Sequence, residues 1–243
     1  MNALLSLEGV TVRYAPELRN ALTVLSSVDL QIGPRETVGV LGLERSGKST
    51  LLRVLAGALP PDAGVVRCEG RDLYAVPERE RAELVRSTIG FADPASLAAS
   101  GRYERVVDLV ALGLLSGGRS MREAEIAARR ALSAAGASSC AEHHPVELTR
   151  AERVRVAVAR ALARQPRVLL VDEPAALPQP EEVDAITRLL RRLARERQIA
   201  LVVASQDPAV VRGADRVVHV TDGALRTTTR PGVVVQLRPA SGA

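Results

Sequence analysis

Lys48 is the only lysine among 33 lysine and arginine residues, and it stands in the run Gly42-Leu-Glu-Arg-Ser-Gly-Lys-Ser-Thr50. That run fits G-x-x-x-x-G-K-[ST] at every fixed position. The chemistry it suits is phosphate binding. Gly42 and Gly47 let backbone N–H groups curl around phosphate oxygens with no Cβ in the way. The helix expected next points its positive end at the same anion. Lys48 supplies a full charge for the β- and γ-phosphates, and the Ser49 hydroxyl suits Mg²⁺. The residues expected around the phosphates of ATP are therefore Gly42, Arg45, Ser46, Gly47, Lys48, Ser49 and Thr50. A plain glycine-rich turn is the competing reading. Against it, the match uses the only lysine and sits between a strand and a helix.

A second constellation lies 124 residues after Lys48, where Val168-Leu-Leu-Val171 runs into Asp172-Glu173-Pro174. An apolar strand ending in two acids places carboxylates at the carboxyl end of a parallel sheet, where open α/β sheets bind ligands. Asp172 is expected to hold Mg²⁺ with Ser49. Glu173 is expected to polarise an attacking water as general base. Alone, the pattern is an ordinary strand end; its pairing with the phosphate loop gives it meaning.

The elements that must position these residues follow from periodicity and punctuation. Residues 4–14 and 24–32 read as strands, and Thr37–Leu41 as a short apolar strand feeding the phosphate loop. A helix is expected from about Ser49 to Ala56, then strands at Val65–Cys68 and Thr88–Ala92 with a helix over 78–86 between them. From about Asp93 to Ala163 the pattern is mostly helical. Strand and helix then alternate again: Val168–Val171, a helix over 181–196, Ile199–Ser205 and Arg216–Val220. That order predicts one α/β domain over 1–243. The core is expected at about 1–92 and 164–226, the inserted helical subdomain at about 93–163 and a short tail at 227–243.

Composition bounds the rest. The chain has 243 residues, 47% hydrophobic and 25% charged, which suits a packed domain. Aromatic residues make up 2%, so the core must be built from Leu, Val, Ile and Ala. A formal charge of +5 and a pI near 10 raise nucleic acid or anionic lipid as partners. The arginines, however, are interspersed with Asp and Glu, which reads as a solvated surface, and no nucleic acid is expected. Cys68 and Cys140 make no metal spacing. No run of 18 apolar residues exists, and MNALLSLEGV lacks the basic start of a signal peptide.

Taken together, the chain resembles an ABC transporter ATPase along nearly its whole length, to about residue 226. Ile89-Gly-Phe91, Gly118-Arg-Ser120, His144-Pro-Val-Glu-Leu148 and the stretch from Arg155 to Leu162 resemble the branch of lipoprotein-release, macrolide-export and cell-division type. The resemblance implies a P-loop NTPase fold: a RecA-like parallel core, an antiparallel β subdomain and an inserted α-helical subdomain. It implies ATP and Mg²⁺ as cofactors, an integral-membrane permease as partner, and a homodimer or a heterodimer with a second ATPase. It also implies a cytoplasmic place on the inner face of the membrane. Tyr14 matches the place of an aromatic that stacks on adenine; a space-filling strand residue is the alternative.

Several family positions are altered. The signature LSGGQ is replaced by Leu148-Thr-Arg-Ala-Glu152, 24 residues before Asp172, without either glycine. Leu115-Ser-Gly-Gly-Arg119 spells nearly that signature but lies 57 residues before Asp172, and is read as a helix end and loop. Ala92-Asp93-Pro94 stands where the Q-loop glutamine is expected. Ala176-Leu-Pro-Gln179 replaces the D-loop, Gln206 stands at the switch histidine, and Arg45 replaces a loop glycine. If Arg45 needs φ > 0, the cost is about 1 kcal/mol. His143, His144 and His219 match no family catalytic place. Two functions follow: a transporter subunit with slow or partner-dependent hydrolysis, or a non-catalytic nucleotide-binding scaffold regulating a membrane complex. An ABC protein acting on nucleic acid or ribosomes is the third reading, disfavoured by the single ATPase domain.

Overall fold

The computed structural model describes residues 3–14, 22–99, 105–115, 117–175, 177 and 179–228. Two sheets carry the fold. The first is antiparallel, in the order β2-β1-β4-β5, from β1 (Leu5–Tyr14), β2 (Leu22–Ile32), β4 (Ala63–Cys68) and β5 (Arg71–Asp72). The second has six strands in the order β10-β9-β3-β8-β7-β6. These are β3 (Thr37–Leu41), β6 (Ile89–Ala92), β7 (Val168–Asp172), β8 (Ala200–Ser205), β9 (Arg216–Thr221) and β10 (Ala224–Thr228). All are parallel except β10, which pairs antiparallel with β9. The fold is the P-loop NTPase architecture expected, with an antiparallel β subdomain and a helical one.

The apolar run of β7 has a physical cause. Val168 and Leu170 face one core, which α1 (Lys48–Leu55) shares with the antiparallel sheet. Leu169 and Val171 face the other, which is built with the helices. β8 divides in the same way, with Val202 on the first side and Leu201 and Val203 on the second. A strand covered on both faces must be apolar at every position, so its sequence shows no alternation.

The helical layer contains α3 (Val106–Leu115), α4 (Met121–Ala134) and α5 (Arg150–Leu162). α5 is buried at Val154, Val156, Ala157, Val158, Ala159, Ala161 and Leu162, nearly all round, which explains its small residues. α2 (Glu78–Thr88) leads into β6. α6 (Pro180–Arg197) lays Val183, Ile186, Leu189, Leu190 and Leu193 against the second core at helical spacing, and ends at Gln198 in the left-handed conformation. The short α7 (Pro208–Val211) follows β8.

Three elements, α7, β5 and β10, are absent from the sequence expectation. β5 has two residues and no pattern to read. β10 extends the sheet past Arg216–Val220, so the tail expected from 227 opens with the last two residues of a strand. Asp222 and Gly223, at φ 50 and 74, form the two-residue turn into it. Residues 229–243 lie outside the described residues, as do Ala176 and Pro178 of the altered D-loop. Leu115 is the last residue of α3, and Gly117-Gly118 form a turn, as expected for a helix end and loop.

Candidate nucleotide site at the carboxyl edge of the sheet

β3 ends at Leu41, and the loop 42–47 carries the chain over the carboxyl edge into α1. The loop is held between two backbones. A Cβ at Gly42 would lie 2.7 Å from the Val220 carbonyl oxygen, and one at Gly47 would lie 2.8 Å from that of Val24. Gly47 also adopts φ 105, open to glycine at no cost. Arg45 sits at φ 61, so the condition attached to it holds and the strain is about 1 kcal/mol. No side chain caps the N-terminus of α1. Its backbone N–H groups are the ones an anion would meet.

Lys48 is 4% exposed, and each of its three donors has a partner. Nζ donates to the carbonyls of Gly42 (3.0 Å) and Leu43 (2.8 Å) and pairs with Glu173 Oε1 at 3.0 Å. Glu173 follows β7 at φ 42, a strained conformation for a residue with a Cβ. Its N–H donates to the Ala204 carbonyl at 2.9 Å, and its Oε2 accepts from the Gln206 N–H at 3.3 Å. The base expected from sequence is thus fixed between Lys48 and the residue at the switch position.

Asp172 is 7% exposed, and its Oδ1 has no hydrogen-bond partner. Burial pushes its carboxyl above the usual range, opposed by a hydrogen bond from Ser49; the charges of Asp93 and Glu173 push the same way as burial. A buried carboxylate oxygen with no donor, beside a serine hydroxyl, fits a hard cation. Ser46 Oγ is also buried and unpartnered. The donor set therefore suits Mg²⁺ held with a phosphate. Tyr14, 42% exposed at the end of β1, places its hydroxyl 3.3 Å from Thr50 Oγ1, so the expected aromatic stands at the α1 side of the loop. On the other side Leu22, Leu43, Gln206 and His219 line a cavity of about 700 Å³.

The structure thus gathers Gly42, Arg45, Ser46, Gly47, Lys48, Ser49, Thr50, Tyr14, Asp172 and Glu173 at one edge. Thr149 and Arg150 are elsewhere in the fold's logic, at the head of α5. Thr149 Oγ1 accepts from the Glu152 N–H at 3.3 Å, and Glu152 Oε2 accepts from the Thr149 N–H at 2.9 Å and its hydroxyl at 2.8 Å. This capping box gives the helix start its own carboxylate. Sequence reasoning gives Asp93 no role of its own, yet it follows the strand beside β7 and its charge acts on Asp172. The signal was present: Ile89-Gly-Phe-Ala92 ends in Asp93 as Val168-Leu-Leu-Val171 ends in Asp172.

Comparison with known proteins identifies the family and the fold. The profile of the ABC transporter family matches residues 25–176. The lipoprotein-releasing system ATP-binding protein LolD 2 of Caulobacter vibrioides is 38% identical over 229 residues, covering 91% of this chain and 96% of that protein. The macrolide export ATP-binding/permease protein MacB 1/2 of Paracoccus denitrificans is 34% identical over 234 residues, 94% of this chain and 34% of that protein. Among solved structures, the dimeric post-hydrolysis state of the ATP-binding cassette MJ0796, bound to ADP and Pi, superposes with TM-score 0.82 at 28% identity. It covers 94% of this chain and 100% of that one. The chain belongs to the ABC transporter family, as an ATP-binding subunit of the branch that holds those lipoprotein-release and macrolide-export cassettes.

Proposed function

We propose that this subunit binds Mg·ATP at the Gly42–Thr50 loop and couples dimerisation and hydrolysis to a membrane permease. The observation that carries it is the Lys48–Glu173 contact at 3.0 Å, beneath an uncapped helix start and beside an unpartnered Asp172 oxygen. Ser49 and Asp172 would hold Mg²⁺, which would supply positive charge against the phosphates. Lys48 exchanges the Gly42 and Leu43 carbonyls for phosphate oxygens. Glu173, released from Lys48, holds the proton of the attacking water at its carboxylate. Tyr14 offers a ring for the adenine.

Turnover is slow or depends on a partner subunit. Gln206 can donate a hydrogen bond but cannot take up and pass on a proton as a histidine does, and no glutamine follows β6. The altered signature at Thr149–Glu152 would serve a nucleotide held by the partner, and the partner with an intact signature is expected to be a second ATPase. The relatives' names and the absence of any helix long and apolar enough to cross a membrane, among the described residues, fit a peripheral subunit on a permease. A second reading, a non-catalytic scaffold, is favoured by one observation: Glu152 occupies the start of α5 with a negative charge.

The test is thermal melting with ATP and Mg²⁺. At about 10–100 times Kd, linkage adds about 1.4–2.7 kcal/mol, or roughly 3–10 °C for a chain of this size. Lys48→Ala should lose most of that shift. A wild type that melts at the same temperature with and without millimolar Mg·ATP would refute the binding claim.

A further inference from the structure

Away from the nucleotide edge, α2 meets the helical layer across a cleft of about 450 Å³. Arg79, Glu83 and Arg86 follow one another on α2 at a spacing that puts them on one helix face. All three line the cleft, with Arg119 from the turn after α3 and Arg164 from the end of α5. α2 packs Leu84 into the core that α1 shares with the antiparallel sheet, whereas α3 and α5 belong to the helical core. The cleft is therefore a seam between the two layers.

Its charge is one-sided: four guanidinium groups and one carboxylate line it. Among the described residues, Arg79, Arg86 and Arg119 make no ion pair, and Glu83 pairs with none of them. Arg164 is fixed in place, because its Nε and Nη2 both donate to the Gly113 carbonyl, the first at 2.7 Å. Burial, and then the charge of Arg86, push its guanidinium below the usual range. Neighbouring charges do not cancel the excess. α2 as a whole carries three glutamates and three arginines, and Glu80 among them is paired with Arg71. Asp108, the one charge on α3, is paired with Arg105. Arg122 offsets Glu123, on which Arg119 also acts. Arg119 and Arg164 remain. Like charges gathered in a partly buried cleft repel, and an anion relieves them.

Two neighbouring phosphates place about three to four negative charges in one small group. An acidic segment instead brings one charge per residue, spread over about 3.3 Å of extended chain each. The volume is that of a small-molecule site, about 300–1,000 Å³, and guanidinium forks match phosphate oxygens. We propose that this cleft is a second anion site, separate from the phosphate loop, which takes a ligand bearing two neighbouring phosphates, free or on a lipid headgroup, and joins α2 to the helical layer.

Calorimetric titration of pyrophosphate into the full chain carrying Lys48→Ala tests it. That substitution silences the phosphate loop, so the readout does not depend on nucleotide binding there. Sedimentation with phosphatidylcholine vesicles, with and without cardiolipin, tests the lipid source. The chain should bind pyrophosphate or, for a lipid source, the cardiolipin vesicles alone. In either case Arg86→Gln and Arg119→Gln should each weaken binding about tenfold, and Arg188→Gln, on α6 outside the cleft, should leave it unchanged. Melting without ligand should not change, since neither side chain has an ion pair to lose; Arg79→Gln replaces any variant that melts lower. Binding of neither probe, no loss in the cleft variants, or an equal loss in Arg188→Gln overturns the proposal. Capture of a glutamate-rich peptide with neither phosphate probe bound also overturns it, and assigns the cleft to an acidic protein segment. A wild type that fails the Mg·ATP melting test removes the nucleotide reading and leaves this result standing.

Discussion

Lys48 and Asp172 are both buried, the first with every donor satisfied and the second with an oxygen that has no donor. Lys48 has its three donors on Gly42, Leu43 and Glu173. A nucleotide must offer it better acceptors, and charge-assisted bonds to phosphate do so. Asp172 has an oxygen with no donor, and a buried polar atom of this kind is costly unless a ligand completes it. If Asp172 supports the metal, Asp172→Asn should weaken binding of Mg·ATP more than binding of metal-free ATP. Titrating both ligands into the two proteins decides the matter, and equal losses would contradict a metal role. Arg45 adds a smaller residue-scale effect. Its φ of 61 means that Arg45→Gly should raise the melting temperature by roughly 2–4 °C, about 1 kcal/mol at this size. Scanning calorimetry of the nucleotide-free proteins reads it directly.

At the scale of elements, two helix starts contrast. α1 begins at a left-handed glycine with no side-chain cap, and α5 begins in a complete capping box. The first has donors to offer an anion. The second gives the Glu152 N–H to Thr149 Oγ1 and keeps the Glu152 carboxylate at the same place. Glu152→Ala should therefore cost the fold about 1 kcal/mol as half the box is lost, seen as a melting temperature lower by roughly 2–4 °C. A loss above about 3 kcal/mol would mean that Glu152 has a role beyond the cap. β6 and β7 show how an element delivers chemistry: parallel register sets two strand ends level, and whatever follows the last apolar residue arrives at the same edge.

For the whole molecule, the expectation is that the purified chain alone is a poor ATPase. In a homodimer each site would combine Gln206 and the missing Q-loop glutamine with a partner signature lacking glycine. Loss of one preorganised donor typically costs about 2.7–4 kcal/mol in the transition state, roughly 10²–10³ in rate. Such losses need not add, since the residues act as a unit. Phosphate release by the wild-type chain should thus be close to that of a Glu173→Gln control. Arg150→Gly, Ala151→Gly and Gln206→His together should raise turnover if Glu173 is a working base. Brisk wild-type turnover that disappears in Glu173→Gln would overturn this account of the substitutions.

What the sequence determined by itself is what is local or strongly periodic. Gly42–Thr50 is contiguous, so its spacing alone names the chemistry and places a strand before it and a helix after it. β7 and β8 declare themselves as unbroken apolar runs because both faces are covered. β10 is not legible for the opposite reason: Ala224–Thr228 has no alternation, and only Asp222-Gly223 marks the hairpin. Tertiary structure decided everything that joins distant residues. Lys48 meets Glu173 across 125 positions, the Gln206 N–H meets Glu173 from another strand, and Asp93 comes level with Asp172 across 79. The physical reason is that parallel register is set by packing on both faces of the sheet. No spacing along the chain records which strands become neighbours.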